Sequence, residues 1–307
     1  MEILIIGLGS IANKHLLAIK NVVPGAKVFA LRSGNKSKDV DGVNNIYILD
    51  EMQNKPDFAI ISNPTNLHGE FIADLSKMNI PMMIEKPSLH SLEKAESLLN
   101  LINTNKTFTY VACNLRFHPC IVFLKDYLKN NTIRINEATI YCGSYLPDWR
   151  PNVNYKEVYS ANLNMGGGVH LDLIHELDYT TWLFGKPNKY SSIQSNSSSL
   201  AIDAPDYAHY VLYYPTFSAS ITLNYFRRDV KRTIELVCED STIAIDLINN
   251  KILDSKQGIL FENKDYKIID TYVSQMSYFI DKLSKNETPM NTFEESLEVL
   301  KIALSNG

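Results

Sequence analysis

The sequence predicts an α/β protein: a doubly wound parallel sheet followed by an α+β domain with an open, mainly antiparallel sheet. In the first part, short apolar runs alternate with helical stretches, which is typical of parallel strands joined by crossover helices. In the second part, extended runs follow one another across short turns, as in antiparallel sheets. The 307 residues suffice for about two domains, which we place at 1–118 and 119–307.

Each predicted strand of the first domain is a short apolar run that stops at a turn residue. The first, Glu2–Ile6, is β-branched and ends at Gly7, and the third ends at Asn63 and Pro64. The predicted strands are 2–6, 27–31, 57–62, 80–84 and 107–113, and the predicted helices between them are 12–20, 67–78 and 92–100. Ligands of such sheets bind at the carboxyl ends of the strands.

The second domain is predicted to begin with a helix and to carry most of its strands after residue 190. The predicted helices are 119–130, 169–183, 272–283 and 293–305, and the predicted strands are 136–145, 191–199, 207–214, 219–226, 233–238 and 243–248. The serine-rich run 191–199 alternates in polarity, which favours an edge strand over a linker. The two tail helices are amphipathic.

Composition excludes several classes of function. The net charge of −4 gives no electrostatic footprint for nucleic acid or for an anionic membrane. The four cysteines are scattered and form no C-x-x-C pair, so we predict neither a disulfide framework nor a metal site. The N-terminus lacks a basic lead, and no stretch reaches about 18 apolar residues, so we expect a cytoplasmic protein.

A phosphate-binding turn follows the first strand, where residues 7–12 read GLGSIA and match G-x-G-x-x-G/A. The first glycine permits a tight turn, the second lets a pyrophosphate approach the backbone, and Ala12 lets helix and strand pack closely. The helix start offers N–H groups and positive potential to phosphates. The predicted cofactor-binding residues here are Gly7, Gly9, Ser10, Ile11 and Ala12. An ordinary glycine-rich turn is the alternative.

The end of the second strand favours NADP over NAD. An NAD site usually has an acidic residue there, which binds the ribose 2′-hydroxyl. This strand ends in Ala30, Leu31, Arg32 and Ser33 without an acid. Arg32 has the geometry to grip a 2′-phosphate, and Ser33 adds a hydroxyl donor. The alternative is that Arg32 is a solvated residue at the strand end.

Two further clusters carry chemistry. Lys86 follows a buried strand in Glu85-Lys86-Pro87, where it would stabilise negative charge on a substrate oxygen, unless it is merely solvated. Asp172 and His175 lie three residues apart on the predicted helix 169–183, so that a carboxylate can orient an imidazole for general-base work. The alternatives are a surface pair and a metal site, and the latter lacks the usual H-E-x-x-H spacing.

Aromatic and basic residues between these clusters suggest a carbohydrate pocket. Trp149 and Tyr155 offer rings on which sugar C–H faces stack, and Arg150 would hold a carboxylate or phosphate. A structural loop is the alternative reading.

Five motifs together resemble the Gfo/Idh/MocA oxidoreductase family. They read GLGSIA (7–12), NPTNLH (63–68), EKP (85–87), NLRFHP (114–119) and GGGVHLDLIHELD (166–178). The resemblance implies a Rossmann domain with NADP or NAD, and hydride transfer at a carbinol or carbonyl carbon of a sugar, inositol or nucleotide sugar. It implies that Lys86, Asp172 and His175 are catalytic. It places Asn63, Pro64, His68, Glu85 and Lys86 on the cofactor side, and it places Asn114 and Arg116 at the domain junction as substrate residues.

This chain departs from many members of the family, because its acid and histidine are spaced D-x-x-H instead of D-x-x-x-H. The form LDLxHELDY is similar to a subgroup associated with bacterial surface-sugar pathways. The resemblance leaves two alternatives open: a dinucleotide-binding regulator, like a yeast repressor of galactose use in the same family, and an enzyme of redox-assisted glycoside cleavage. It also implies a homodimer or homotetramer formed through the C-terminal sheet.

Overall fold

A computed structural model describes residues 1–34 and 39–307, which form two compact units. The first unit comprises Met1–Asn114 and Ile268–Leu300, and the second comprises Leu115–Lys267 and Lys301–Gly307. No helix of the described part is long and apolar enough to cross a membrane.

The sheet of the first unit is parallel throughout, with strand order β3-β2-β1-β4-β5-β6. Its strands are β1 (Glu2–Ile6), β2 (Lys27–Leu31), β3 (Val43–Ile46), β4 (Phe58–Ile61), β5 (Met82–Glu85) and β6 (Thr109–Ala112). Its crossover helices are α1 (Ser10–Val22), α2 (His68–Lys77) and α3 (Ala95–Asn105). From β1 the chain adds β2 and β3 toward one edge of the sheet, and it then adds β4, β5 and β6 toward the other edge. The strand order therefore changes direction between β1 and β4, and folds of this type bind their ligands at that point. Strand β3 was not predicted, because its sequence VNNI carries little apolar signal.

The tail helix α7 (Ile268–Lys285) completes the core of the first unit. Its buried face presents Met276 and Phe279, and the Phe279 ring meets the ring of Phe58 edge-on at 4.9 Å. The predicted domain boundaries therefore differ from those of the structure: the first break comes after Asn114 instead of 118, and Ile268–Leu300 joins the first unit. The amphipathic pattern of α7 predicts that one face of the helix is buried, but it does not indicate which part of the protein covers that face.

The second unit contains an eight-stranded, mainly antiparallel sheet of order β14-β13-β12-β11-β7-β10-β9-β8, in which only β10 and β7 pair in parallel. Its strands are β7 (Ile135–Tyr145), β8 (Lys189–Ser195), β9 (Tyr207–Tyr213), β10 (Ser218–Asn224), β11 (Phe226–Cys238), β12 (Thr242–Asp246), β13 (Lys251–Asp254) and β14 (Gly258–Glu262). The serine-rich segment forms β8 at one edge of the sheet, as predicted. Strands β13 and β14 were not predicted.

Most strands of the second unit come after residue 188, and its first α-helices come before them. These helices are α4 (Pro119–Asn130), α5 (Val169–Asp172) and α6 (His175–Phe184), and a last helix, α8 (Phe293–Ala303), ends in this unit. The prediction of one helix over 169–183 is wrong, because the chain leaves regular α-helix at Leu173 and Ile174. At this junction two bonds run from residue i to i−3, Ile174 N to Leu171 O and Glu176 N to Leu173 O.

Candidate active site

The turn after β1 lies tightly against the end of β4. Gly7 has φ +80°, and a Cβ at this position would lie 2.7 Å from the Cα of Asn63. The Ser62 hydroxyl contacts the carbonyl oxygens of Ile6 and Gly7 at 3.2 and 3.0 Å. Gly7 therefore meets two requirements that only glycine satisfies, a left-handed φ and close approach to another strand.

The start of α1 is open. Gly9 is the N-cap residue of α1, which has no side-chain cap, so the first N–H groups of the helix are available to a ligand. No described atom beyond its chain neighbours lies within 4 Å of a Cβ built on Gly9. Ser10 is exposed and Ile11 is half-buried, whereas Ala12 is fully buried where α1 packs on the sheet. This arrangement fits the phosphate-binding role predicted for residues 7–12.

Asn63 presents a buried amide beside this turn. Its side-chain Oδ1 and Nδ2 are both buried and hydrogen-bond to no described atom. Such groups are costly unless a ligand or water satisfies them. His68 Nε2 lies 3.0 Å from the Asn63 carbonyl oxygen and fixes the backbone there, while burial lowers the pKa of His68 and keeps the ring neutral. Pro64 is exposed. Together the open helix start and the Asn63 amide fit a dinucleotide.

The two glycines are expected to respond differently to substitution. Gly7→Ala should lower the free energy of unfolding of the first unit by about 1–3 kcal/mol, because alanine is strained at this φ and meets Asn63. Gly9→Ala should leave stability unchanged, because φ is −90° and the space is open, yet weaken dinucleotide binding roughly tenfold or more. Urea unfolding and a cofactor titration measure the two effects. Wild-type affinity in Gly9→Ala would contradict the phosphate role.

Arg32 follows β2 and is held by a neighbouring strand. Its Nη1 donates to Oδ1 of Asn45 at 3.0 Å, and the Nδ2 of Asn45 donates to Oδ1 of Asp39 at 2.7 Å. Ser33 is exposed. Asn45 lies on β3, so sequence reasoning missed this support for Arg32 together with the strand itself.

Lys86 follows β5 and is half-buried, and its peptide bond to Pro87 is cis. The preceding residue, Glu85, is buried, with Oε1 2.6 Å from the Nε2 of His15 on α1 and Oε2 accepting the backbone N–H of Lys86 at 3.2 Å. Glu85 is thus a structural anchor that ties the lysine to the phosphate-binding helix. His15 was missed by sequence reasoning, because a buried histidine on a helix carries no distinctive motif.

Asp172 and His175 lie at the two ends of the helix interruption, since Asp172 ends α5 and His175 begins α6. Both residues are half-buried. The i to i−3 bonding between them gives a spacing near three residues per turn, at which residues i and i+3 share a face. A run of three glycines precedes α5. Its middle residue, Gly167, has no room for a side chain, because a Cβ there would lie 2.1 Å from the carbonyl oxygen of Tyr159.

The carboxylate of Asp172 accepts a hydrogen bond from a buried tyrosine. The hydroxyl of Tyr225 donates to Oδ2 of Asp172 at 2.5 Å, and Tyr225 is fully buried. Nothing in the sequence indicated this residue, because it lies 53 positions after Asp172 at the end of a strand.

The other acids of this helical segment form buried ion pairs. Glu176 accepts from Arg232 Nε at 2.6 Å, and Asp178 accepts a bidentate pair of bonds from Arg116 at 2.9 and 2.8 Å. Both acids are thereby structural. Arg116, predicted at the substrate, holds Asp178. Asn114, predicted beside it, donates to the hydroxyl of Thr271 at 2.8 Å.

In the aromatic loop after β7, the polar groups of Trp149 and Tyr155 bind other groups of the protein. Trp149 Nε1 donates to the Ser144 hydroxyl at 2.9 Å, and the Tyr155 hydroxyl donates to the Leu200 carbonyl oxygen at 3.1 Å. The cavity that the loop encloses holds about 10 Å³, less room than a sugar needs, and Arg150 beside it is exposed. Sugar binding by these residues stays a prediction.

In the described residues, 1–34 and 39–307, no group of three or more His, Cys, Asp or Glu side chains is placed to hold a metal ion.

The parallel sheet order and the open glycine turn define a dinucleotide-binding fold of the Rossmann type. A model described as an oxidoreductase family with an NAD-binding Rossmann fold matches residues 1–112, and the GFO/IDH/MocA C-terminal domain matches residues 134–244. The chain therefore belongs to the Gfo/Idh/MocA family, which confirms the resemblance, the fold class and a nicotinamide dinucleotide as cofactor.

Individual relatives are distant. The scyllo-inositol 2-dehydrogenase (NADP(+)) IolW of Bacillus subtilis is 23% identical over 214 residues, 69% of this chain and 58% of that protein. The chain spans about half the length of the curated relatives it matches. Among solved structures, UDP-N-acetylglucosamine 3-dehydrogenase GnnA from Acidithiobacillus ferrooxidans has a TM-score of 0.81 at 18% identity, covering 100% of this chain and 96% of that one. Levoglucosan dehydrogenase in complex with NADH has 0.85 at 15%, covering 99% and 95%.

Proposed function

We propose that the protein is an NADP-preferring oxidoreductase that acts on a carbinol or carbonyl carbon of a sugar, sugar derivative or nucleotide sugar. The observation that carries the proposal is the buried amide of Asn63, which has no hydrogen-bond partner in the described residues and lies beside the uncapped start of α1. A bound nicotinamide dinucleotide would satisfy this amide and would supply the hydride chemistry. The sugar class is supported by relatives and structural neighbours whose names describe inositol, UDP-sugar and levoglucosan dehydrogenases.

The residues divide the work of alcohol oxidation. His175 takes the proton of the substrate hydroxyl, Asp172 holds the imidazole in the required orientation, and Lys86 stabilises the negative charge that develops on the oxygen. The buried Glu85, bonded to His15, fixes the backbone from which Lys86 extends. In the reductive direction the same groups act in reverse, with His175 returning the proton.

Cofactor preference is assigned to Arg32. A guanidinium at the end of β2 binds a 2′-phosphate bidentately, and no carboxylate takes its place at the strand end. One relative is named as an NADP(+) enzyme and another as an NAD(+) enzyme, so the preference rests on Arg32. For the pathway, the LDLxHELDY form favours bacterial surface-carbohydrate metabolism.

Titration of the purified protein with NADPH and NADH tests the cofactor proposal. We expect NADPH to bind at least tenfold more tightly, and Arg32→Ala to remove most of that difference while leaving NADH affinity unchanged, because NADH has no 2′-phosphate for Arg32 to bind. Screening sugars and nucleotide sugars at 340 nm then tests the reaction. A protein that binds neither dinucleotide would contradict the whole mechanism, and turnover without net absorbance change would indicate redox-assisted cleavage.

We propose that the protein forms a homodimer or homotetramer through the sheet of the second unit. The outward face of β11, β12 and β13 carries a groove of about 920 Å³, and Leu253 on this sheet is 41% exposed. Exposed apolar side chains on this face, such as Leu253, favour association with a second copy. Light scattering at micromolar concentration should give twice or four times the chain mass, and a monomer would contradict the proposal.

A further inference from the structure

Tyr225 occupies a position from which it can control Asp172. It follows the last residue of β10 and is fully buried. Its backbone is held on both sides, because its N–H donates to the Asp206 carbonyl oxygen at 2.9 Å and its own carbonyl accepts from Leu146 N at 2.8 Å. The ring of Trp149 packs edge-on against the ring of Tyr225, with 5.3 Å between the two ring centroids. The phenol ring of Tyr225 is therefore held in place inside the second unit.

The hydrogen bond from Tyr225 to Asp172 is of the charge-assisted kind. The separation of 2.5 Å between the hydroxyl and Oδ2 lies at the short end of the range for an O–H donor and a carboxylate. Burial, and then the negative charge of Asp172, raise the pKa of Tyr225 well above its ordinary value. The hydroxyl consequently keeps its proton and can only donate to this oxygen at neutral pH.

Asp172 needs such support because of where it lies. It is the last residue of a four-residue helix, and the chain interrupts its helical bonding before His175. A carboxylate at this point can rotate about its Cα–Cβ and Cβ–Cγ bonds unless a fixed group holds one oxygen. With Oδ2 held by Tyr225, one oxygen of the carboxylate is kept at a fixed position.

We propose that Tyr225 is a positioning residue for the reaction: its hydroxyl holds the carboxylate of Asp172 in the orientation that Asp172 needs to direct His175. This inference rests on the proposed function, in which Asp172 and His175 act as a pair. A tyrosine that merely satisfies its own buried hydroxyl would affect stability without affecting turnover.

The second unit offers a matched control for that distinction. Tyr210 is also fully buried, and its hydroxyl donates to the Ala303 carbonyl oxygen at 2.7 Å, a bond to a neutral backbone group with no assigned part in the reaction. Tyr225→Phe and Tyr210→Phe each remove one buried hydroxyl and the hydrogen bond that it donates. Differences between the two variants in turnover report on what Tyr225 does for Asp172.

The experiment measures kcat, the KM for the sugar and NADPH affinity in Tyr225→Phe, Tyr210→Phe, Asp172→Asn and the double variant Tyr225→Phe/Asp172→Asn. We expect Tyr225→Phe to lower kcat about 10–100-fold, with KM and NADPH affinity within twofold of wild type, as for other residues that orient a functional side chain. Tyr210→Phe should keep wild-type kcat. In the Asp172→Asn background, Tyr225→Phe should have no further effect, because the group it positions is gone.

Three results would overturn the inference: wild-type kcat in Tyr225→Phe, an equal loss in Tyr210→Phe, or an undiminished loss in the Asp172→Asn background. If Tyr225→Phe does not fold, 3-fluorotyrosine at position 225 replaces it, since this analogue keeps the shape and makes the hydroxyl a stronger donor. We then expect an altered kcat that 3-fluorotyrosine at position 210 does not produce, and an unaltered one overturns the inference. A wild-type protein without turnover on any sugar refutes the proposed function and this inference with it, whereas an active wild type isolates the failure to Tyr225.

Discussion

Replacing Lys86 by alanine is expected to lower kcat by about a thousandfold while the protein still binds NADPH. In the proposed reaction the ammonium group acts on negative charge that exists mainly in the transition state, so its loss falls on turnover rather than on ground-state binding. Removal of one such donor typically costs 10²- to 10³-fold. Steady-state rates at 340 nm, together with a fluorescence titration of NADPH, measure the two quantities separately.

Lys94→Ala is the matched control for Lys86→Ala. Lys94 belongs to the same unit, is exposed, and follows Lys86 by eight residues. It should turn over at the wild-type rate. His175→Ala should also lose about 10²- to 10⁴-fold in kcat, because the proton then has no positioned acceptor. Near-wild-type turnover in both Lys86→Ala and His175→Ala would refute the assignment of the active site.

The largest effect on stability is expected at Arg116. Arg116→Met should lower the free energy of unfolding of the second unit by about 3–5 kcal/mol, because it leaves the buried carboxylate of Asp178 without its bidentate partner. The side chains of both partners are at most 5% exposed, so water cannot take the place of the guanidinium. Both tryptophans of the chain, Trp149 and Trp182, lie in the second unit, and their fluorescence during urea unfolding therefore reports on that unit alone.

Two further variants separate this ion pair from a role at the substrate. Arg227→Met removes the partner of the exposed Asp229 in the same unit and should leave the unfolding midpoint nearly unchanged, because an exposed carboxylate stays solvated. The double variant Arg116→Met/Asp178→Leu removes both charges and should recover most of the lost stability. An Arg116→Met protein of wild-type stability with a raised KM for the sugar would instead favour the substrate role predicted from the sequence.

The sequence predicted the parallel sheet well because five of its six strands carry a local signal, with β3 as the exception. Runs such as Glu2–Ile6 and Lys27–Leu31 are apolar and bounded by turn residues, and the structure begins and ends these two strands at the predicted positions. The tight turn at residues 7–12 was predictable for the same reason, since a G-x-G-x-x-G/A string directly after a strand is a local signal. Both predictions depend on neighbours in the chain.

Features that depend on distant partners could not be predicted. Three side-chain hydrogen bonds join residues that lie 13 to 70 positions apart in the chain: Tyr225 with Asp172, His15 with Glu85, and Asn45 with Arg32. None of these partners carries a motif, because a buried tyrosine, histidine or asparagine in a strand or helix is compatible with many roles. The interruption between α5 and α6 was also missed, since Leu173 and Ile174 are ordinary helix residues and no glycine or proline marks the break.

The return of the tail helix to the first unit has a consequence for the order of events at the ribosome. Met276 and Phe279 of α7 share a core with Phe58 and Tyr110, yet about 150 residues of the second unit are synthesised between the two parts. At bacterial or eukaryotic elongation speeds this interval lasts roughly 10–30 s. During that time the nascent first unit presents an uncovered apolar surface, so its folding is completed after translation of the second unit and not before it. Chaperones that bind such surfaces have their opportunity in this interval.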